Sequence, residues 1–157
     1  MEGKRVFVVG GGFAGVQAVR SLARSAPQAQ ISLVDKYGQA QMVPALPDVL
    51  SGRIRTDAIV RPLEDVLGDT ASVVTDEITA ADLDERTLRG RHATYEWDYL
   101  VLASGSRPAY YGFRPENGTL HSVHSLEHAR AFRAAAESHL AKDPAAPVVI
   151  VGAGYTG

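Results

Sequence analysis

Gly10, Gly12 and Gly15 stand in the run Gly10-Gly11-Gly12-Phe13-Ala14-Gly15, a G-x-G-x-x-G spacing directly behind four apolar residues, 6–9. At the junction of a strand and a helix this spacing has a physical use. The first glycine permits a tight turn, the second lets backbone approach a pyrophosphate, and the third lets helix and strand pack closely. The helix N-terminus, with Phe13 and Ala14 in its first turn, adds unpaired N–H groups and a partial positive charge. Asp35 follows Gly15 by twenty residues, the separation at which a carboxylate ending the next strand accepts hydrogen bonds from ribose hydroxyls. Lys36 comes next, within reach of a phosphate, although a lysine at a strand end is more often simply solvated. The competing reading is a glycine-rich turn beside a solvated aspartate. Against it, the pattern recurs: residues 148–151 are Val-Val-Ile-Val, followed by Gly152-Ala153-Gly154-Tyr155-Thr156-Gly157. Two dinucleotide sites are therefore expected, with Gly152, Gly154 and Gly157 forming the second turn.

The elements that must position these residues follow from periodicity. A short strand over Arg5–Val9 feeds the first turn, and a helix over Phe13–Ser25 places Ala14, Ala18, Val19 and Leu22 on one face. Pro27 stops it, and residues 31–34 form a second strand, so that the unit reads βαβ with a parallel sheet. Residues 37–69 carry Pro44, Pro47 and Pro62 and no clear period, with short helical pieces at 46–50 and 62–67. Met42, Val43, Leu46, Val49 and Leu50 make this stretch a packed loop facing a ligand. Residues 71–103 alternate, with Val73, Ile78, Leu83, Leu88 and Tyr95 in short segments, which predicts an antiparallel meander. Residues 98–104 form a strand buried on both faces that leads into a turn at Gly105. Ser125 caps a helix with Leu126, Ala129, Phe132, Ala136 and Leu140 on its apolar face. Residues 148–151 form one more buried strand. A domain rarely stops on such a turn, so the chain reads as the N-terminal portion of a longer protein.

Composition narrows the function classes. The 157 residues are 45% hydrophobic, enough for a core, and the 16 Lys and Arg against 18 Asp and Glu give a net charge of -2. No basic excess exists to neutralise phosphates, which argues against a nucleic-acid partner. There are no cysteines, so disulfides, thiolate metal sites and a thiol nucleophile are excluded within these residues. The five histidines, His92, His121, His124, His128 and His139, lack metal-ligand spacing, and no metal site is expected. No apolar run approaches the ~18 residues of a membrane span, and Gly10 to Gly12 would break the h-region of a secretory signal, so the chain reads as soluble.

Two glycine turns separated by a β meander resemble the two-dinucleotide-binding-domain flavoproteins, in which the first unit holds FAD and the second NAD(P)H. The stretch Tyr95-Glu96-Trp97-Asp98-Tyr99-Leu100-Val101-Leu102-Ala103-Ser104-Gly105-Ser106-Arg107-Pro108 is similar to that family's second FAD motif, which usually ends Ala-Thr-Gly; Ser104 keeps the hydroxyl. Within this superfamily of FAD-dependent pyridine nucleotide-disulfide oxidoreductases the chain most resembles type II NADH dehydrogenases (NADH:quinone oxidoreductases). Val43-Pro44-Ala45-Leu46-Pro47-Asp48-Val49-Leu50-Ser51-Gly52 is similar to their Thr-Pro-Leu-Leu-Pro-Glu-Val-Ala-x-Gly stretch beside the flavin. Val43 and Ala45 depart from that pattern, and Gln41 stands near a position often aromatic in relatives. Glutathione-reductase-like relatives carry a C-x-x-x-x-C pair after the second strand, and residues 36–52 contain none.

The resemblance implies an α/β, Rossmann-like FAD-binding domain over residues 1–118, with a parallel sheet and a small antiparallel meander. The start of a second Rossmann-like NAD(P)H-binding domain would follow over 119–157. It implies FAD contacts from Gly10, Gly12, Phe13, Ala14, Gly15, Asp35, Lys36, Pro44, Ile78, Ala103, Ser104, Gly105 and Arg107, and NAD(P)H contacts from Gly152, Gly154 and Gly157. The implied reaction passes a hydride from NAD(P)H to FAD and two electrons to a quinone, with no protein acid or base singled out. Ferredoxin- or rubredoxin-reductase-like and sulfide:quinone-reductase-like members share these motifs and are the alternative enzymes. The alternative of another class is an NAD(H)-binding sensor without turnover. A homodimer, a cytoplasmic location and peripheral contact with the inner face of the membrane are further implications of the likeness.

Overall fold

The computed structural model describes residues 3–112, 114 and 120–152. In chain order its elements are β1 (Arg5–Val9), α1 (Phe13–Ser25), β2 (Gln30–Asp35), β3 (Gln39–Gln41), α2 (Leu46–Leu50), β4 (Val60–Pro62), α3 (Leu63–Leu67), β5 (Ser72–Thr75), β6 (Ile78–Asp82), β7 (Thr87–Gly90), β8 (Thr94–Glu96), β9 (Tyr99–Leu102) and α4 (Leu126–Lys142). They fall into two compact units, Met1–Ala40 with Arg61–Ser106, and Gln41–Val60 with Arg107–Gly157.

The first unit is built on a four-stranded sheet in the order β5-β2-β1-β9, with every pair parallel. Successive side chains of a strand point to opposite faces, and both faces of this sheet are covered. Val6 and Val8 of β1 and Ile31 and Leu33 of β2 pack with Val16 and Val19 of α1 and with Leu63 and Leu67 of α3. The alternate residues Phe7 and Val34 pack with Leu88, Tyr95 and Trp97 from the antiparallel sheet β6-β7-β8. The arrangement is helix, parallel sheet, antiparallel sheet, which is why β1 is apolar at every position from Val6 to Val9. Asp98 fastens the start of β9 to β1: its carboxylate accepts from Arg5 N–H at 2.8 Å, and its own N–H donates to the Arg5 carbonyl at 2.9 Å.

The second unit has a smaller core, with Leu46 and Val49 of α2, Ile59, and Leu126 and Ala129 of α4. Ser125 caps α4 as expected, its hydroxyl accepting from His128 N–H at 3.2 Å.

Five expectations need correction. Residues 72–75 do not join the meander; β5 pairs with β2 and carries Val73 into the α1 side of the core, leaving three strands for the antiparallel sheet. Leu83 is 66% exposed in the turn after β6. β9 is only partly buried: Leu100 and Val101 pack on opposite faces of the sheet, but among the described residues β9 is an edge strand with β1 alone beside it, and Tyr99 and Leu102 are exposed. Residues 148–151 form no strand: among the described residues nothing pairs with them, and Val149 and Val151 are 81% and 89% exposed. A strand exists only where a neighbour takes its backbone hydrogen bonds. In α4 the apolar face is also shorter than expected, since only Leu126 and Ala129 are fully buried and Leu140 is exposed.

Burial sets the expected mutational contrast within the first unit. Leu33, fully buried, should lose about 2–5 kcal/mol on truncation in Leu33→Ala, whereas Leu83→Ala should stay within about 0.5 kcal/mol, as read by urea unfolding.

Candidate dinucleotide-binding site

β1 ends against a turn that only glycine can make. Gly10 has φ +108°, and its N–H donates to the Val34 carbonyl at 2.8 Å. A Cβ built on Gly10 would lie 2.3 Å from the Ala103 carbonyl oxygen, and one on Gly15 would lie 1.8 Å from the Gly10 carbonyl oxygen. Both positions are closed by backbone, so neither neighbour can give way. Gly11 is closed on another side, a Cβ there meeting Leu63 Cδ1 at 2.4 Å. Gly12 is different: nothing lies within 4 Å of its would-be Cβ, and its backbone is extended, with φ -75° and ψ -173°. The turn therefore packs tightly through Gly10, Gly11 and Gly15 and opens outward at Gly12.

Gly12 is also the N-cap of α1, with no side-chain hydrogen bond to the helix and no acidic residue in the first turn. Phe13 and Ala14 are exposed there. The first N–H groups of a helix have no intrahelical partner and carry the positive end of its dipole, so this end can receive an anion.

Asp35 stands beside the same turn. One carboxylate oxygen accepts from Gly11 N–H at 2.9 Å and the other from Tyr37 N–H at 2.8 Å. Each oxygen retains acceptor capacity, and the carboxylate is half-buried. The structure thus joins Gly10, Gly12, Gly15, Asp35, Ala103 and Ser104 in one locus: Ala103 N–H donates to the Val9 carbonyl at 2.8 Å, and Ser104 Cα lies 3.2 Å from the would-be Cβ of Gly10. Gly105 follows at φ +78°.

The other expected contacts are placed less directly. Lys36 is ion-paired with Glu77, Nζ to Oε1 3.2 Å, and its Nζ lies 5.1 Å from the centre of the Tyr37 ring; hydrogen bonds toward Tyr37 and Glu77 raise its pKa. Ile78 opens β6 and packs into the Phe7, Val34 and Leu88 cluster. Pro44 and Arg107 belong to the second unit and are exposed. Pro44 sits in a 3₁₀ turn, Val43–Ala45, ahead of α2, and of the loop's apolar residues Met42 and Val43 are exposed while Leu46 and Val49 are core. Gly152 has φ +126° and open space around it; Gly154 and Gly157 lie outside the described residues. The rings of His124 and His128 lie with centroids 4.2 Å apart, tilted by 42°, and each Nδ1 is hydrogen-bonded to a serine. Burial and then the His128 charge lower the His124 pKa.

Sequence reasoning missed Gly11, whose N–H holds Asp35, although its place between two site glycines was the signal. It also missed Asp76, since a lone aspartate between two short strands gives no signal. Asp76 is 3% exposed. Its carboxylate accepts from the Tyr95 hydroxyl at 2.7 Å and from the N–H groups of Arg91, His92 and Ala93. It is the polar centre that ties β6 to the β7–β8 turn, and Gly90 is required there because a Cβ would meet Asp76 Oδ2 at 2.1 Å.

Comparison with known proteins is consistent with this geometry. Residues 4–157 match the family model described as pyridine nucleotide-disulphide oxidoreductase. The type II NADH:quinone oxidoreductase of Staphylococcus haemolyticus is 27% identical over 98% of this chain and 41% of its own length, and that of Staphylococcus aureus gives the same values. The chain thus spans about two-fifths of the curated relatives it matches. Among solved structures, the sulfide:quinone oxidoreductase of Aquifex aeolicus is similar with a TM-score of 0.78 and 25% identity, over 90% of this chain and 33% of that one. NDH2 of Plasmodium falciparum shares the fold at a TM-score of 0.77 and 15% identity, over 94% and 31%.

The Asp76–Tyr95 pair gives stability a pH signature. Burial alone would raise the Asp76 carboxyl, but the Tyr95 hydroxyl and the three N–H groups outweigh it and hold it below the ordinary range. That contribution is complete above the unfolded carboxylate value, about 3.9, and is lost as pH falls through the lower folded value. Burial, and then the contact with Asp76, push the Tyr95 hydroxyl up to about 12. Its contribution is complete below the unfolded value of about 10 and is lost as pH rises through the folded one. Thermal unfolding should therefore show a fall in Tm on the alkaline side that Tyr95→Phe removes, and the same variant should weaken the acid-side loss, because the Tyr95 hydroxyl is among the donors that hold Asp76 down.

Proposed function

The chain belongs to the pyridine nucleotide-disulphide oxidoreductase family, and from that premise we propose that it carries the FAD-binding part, and the beginning of the NAD(P)H-binding part, of a flavoprotein NAD(P)H:quinone oxidoreductase. We assign residues 1–118 to the first domain and 119–157 to the second. The observation that carries the reading is the turn at Gly12. Three neighbouring glycine positions are filled by packing, while Gly12 alone opens onto the uncapped end of α1 beside the Asp35 carboxylate.

The residues fit a dinucleotide. Backbone N–H groups at Gly12, Phe13 and Ala14 would hold the pyrophosphate, and Asp35 would accept from the ribose hydroxyls. Ala103 to Gly105 would close the site from β9, Gly10 and Gly15 keep the two segments in contact, and Lys36, Pro44, Ile78 and Arg107 would border the cofactor. Gly152, Gly154 and Gly157 would receive NAD(P)H. When bound, the flavin supplies the two-electron chemistry between the nicotinamide and the acceptor. What the chain's own residues contribute is position: the helix end fixes the phosphates and the acid fixes the adenosine end. The names of the staphylococcal relatives support a quinone as acceptor, and the family resemblance supports a cytoplasmic protein with peripheral contact to the inner face of the membrane and a homodimeric state. Among the described residues no helix is long and apolar enough to cross a membrane.

Absorbance spectroscopy tests the reading. The 157 residues alone are expected to be inactive; the full-length protein, purified and reconstituted with FAD, should show flavin bands that bleach on anaerobic addition of NADH and return with a water-soluble quinone. Bands that bleach without returning would move the acceptor elsewhere, and no bands after reconstitution would remove the flavin assignment. Two glycine variants separate binding from folding. Gly12→Ala meets no atom and should keep Tm within a few degrees yet weaken FAD binding at least about tenfold, because its methyl enters the path of the pyrophosphate. Gly15→Ala should lower stability itself, since its methyl would strike the Gly10 carbonyl.

A further inference from the structure

His124 and His128 lie on either side of Ser125, the N-cap of α4. Ser125 is extended, with φ -143° and ψ 162°, and the helical turn that follows returns His128 to the side of His124, ring centroids 4.2 Å apart. Each ring is tied down at Nδ1 by a hydroxyl. Ser122 Oγ lies 2.8 Å from the His124 nitrogen and Ser125 Oγ lies 2.6 Å from that of His128. The Ser125 hydroxyl also accepts from His128 N–H at 3.2 Å, so one oxygen serves both the cap and the ring. Leu126 and Ala129, in the same turn, are buried with Leu46, Val49 and Ile59 in the core of the second unit, and Val123 packs against that core. The residues that hold the two imidazoles are thus the residues that seat α4.

Three effects oppose a positive charge there. A helix N-terminus is the positive end of the dipole, half-burial deprives His124 of hydration, and a charge on either ring repels a charge on the other. The neighbouring charged groups do not reverse this. On α4 itself Glu127 occupies the first turn and Arg130 the next, and one acid offsets one proton, not two. His121, ahead of the cap, has its ring 5.5 Å from that of Phe132. From α2 comes Asp48, paired with Arg53 at 3.5 Å, and from residues 56–59 comes Asp57, paired with Arg55. We propose that the His124–His128 pair is a proton-sensitive latch on α4: with both rings neutral the Ser125 cap holds and Leu126 and Ala129 stay seated, and with both rings charged the first turn of α4 lets go. The sign follows from linkage. A base whose charged form is disfavoured in the folded chain contributes fully above its unfolded value, about 6.5, and the contribution is lost as pH falls from there through the lower folded value. The latch is independent of the dinucleotide reading.

Hydrogen exchange read by mass spectrometry on the full-length protein tests the latch, at about pH 7.5 and about pH 5, either side of the histidine range, with rates corrected for the intrinsic effect of pH. Peptides covering residues 126–133 should lose protection roughly two- to fivefold at the acid pH, the scale of a charge set against a helix dipole, while peptides from α1 should not. In the double variant His124→Asn/His128→Asn, whose amides keep a polar group near each serine and take up no proton, that difference should vanish. A second readout separates titration from packing: in His128→Asn, a change at an exposed residue, the NMR titration midpoint of the His124 ring should rise, because the neighbouring charge is gone and burial alone remains. The inference is overturned if residues 126–133 are equally protected at both pH values, if the double variant keeps the acid loss, or if the His124 midpoint does not move in His128→Asn; this last measurement decides the matter if the double variant folds poorly.

Discussion

The first unit depends on how closely three backbone segments approach at the top of β1. Gly15 sits against the Gly10 carbonyl, and Gly10 sits against the carbonyl of Ala103, at separations that leave no room for a single methyl group. Close approach of this kind brings the first turn of α1 down onto the sheet and the end of β9 across to meet it. Once those contacts exist, the strand order is constrained: β1 lies between β2 and β9, and the acid ending β2 comes to rest against Gly11 N–H. Dispersion and burial stabilise the rest of the unit, but they do so around a junction whose geometry is set by missing side chains.

The opposite face of the sheet is held by a different device. Apolar packing of Phe7, Val34 and Leu88 would tolerate sliding of the small antiparallel sheet over the parallel one. Asp76 removes that freedom, because a carboxylate that receives three N–H groups and a tyrosine hydroxyl has its directions fixed by them. Burying an acid is unfavourable unless its hydrogen bonds are made, and here they are made by the turn between β7 and β8. The following residue, Glu77, then reaches back to Lys36, so that one short link between β5 and β6 organises the meander with its first acid and the rim of the glycine turn with its second.

Much of this was legible in the sequence, and the reasons are local. The strand, turn and helix from Arg5 to Ser25 are specified by an apolar run, four glycines and a helical apolar spacing that all agree, and β2 ends at the acid that spacing predicted. α2 and the Ser125 cap were legible for the same reason. The failures share a cause, which is that strand pairing depends on neighbours distant in sequence. Ser72 to Thr75 alternate like any meander strand, yet β2 offers them a parallel partner, and burial on both sheet faces decides the outcome. Residues 148–151 have strand composition but find no partner among the described residues, so composition alone does not produce a strand there. Asp76 was invisible because nothing in a single aspartate announces that four donors, from residues 15 to 19 positions later, will converge on it.

The N-terminus of α1 shows why the site is where it is. The thirteen-residue helix α1, with Gly12 at its N-cap, has neither a capping side chain nor an acid in its first turn, although Ser, Asp or Asn at that position would stabilise it by roughly a few tenths of a kcal/mol over glycine. The same chain does place a serine cap on α4, so the means of stabilising a helix end is present and is withheld at α1. A side chain at Gly12 that satisfied the first N–H groups would occupy the space those groups face, and would compete with any anion they bind. The open glycine trades intrinsic helix stability for an acceptor supplied from outside, which couples ligand binding to the stability of the fold: whatever anion seats there stabilises the native chain by mass action, through the same three N–H groups and the same glycine junction on which β1, β2 and β9 converge.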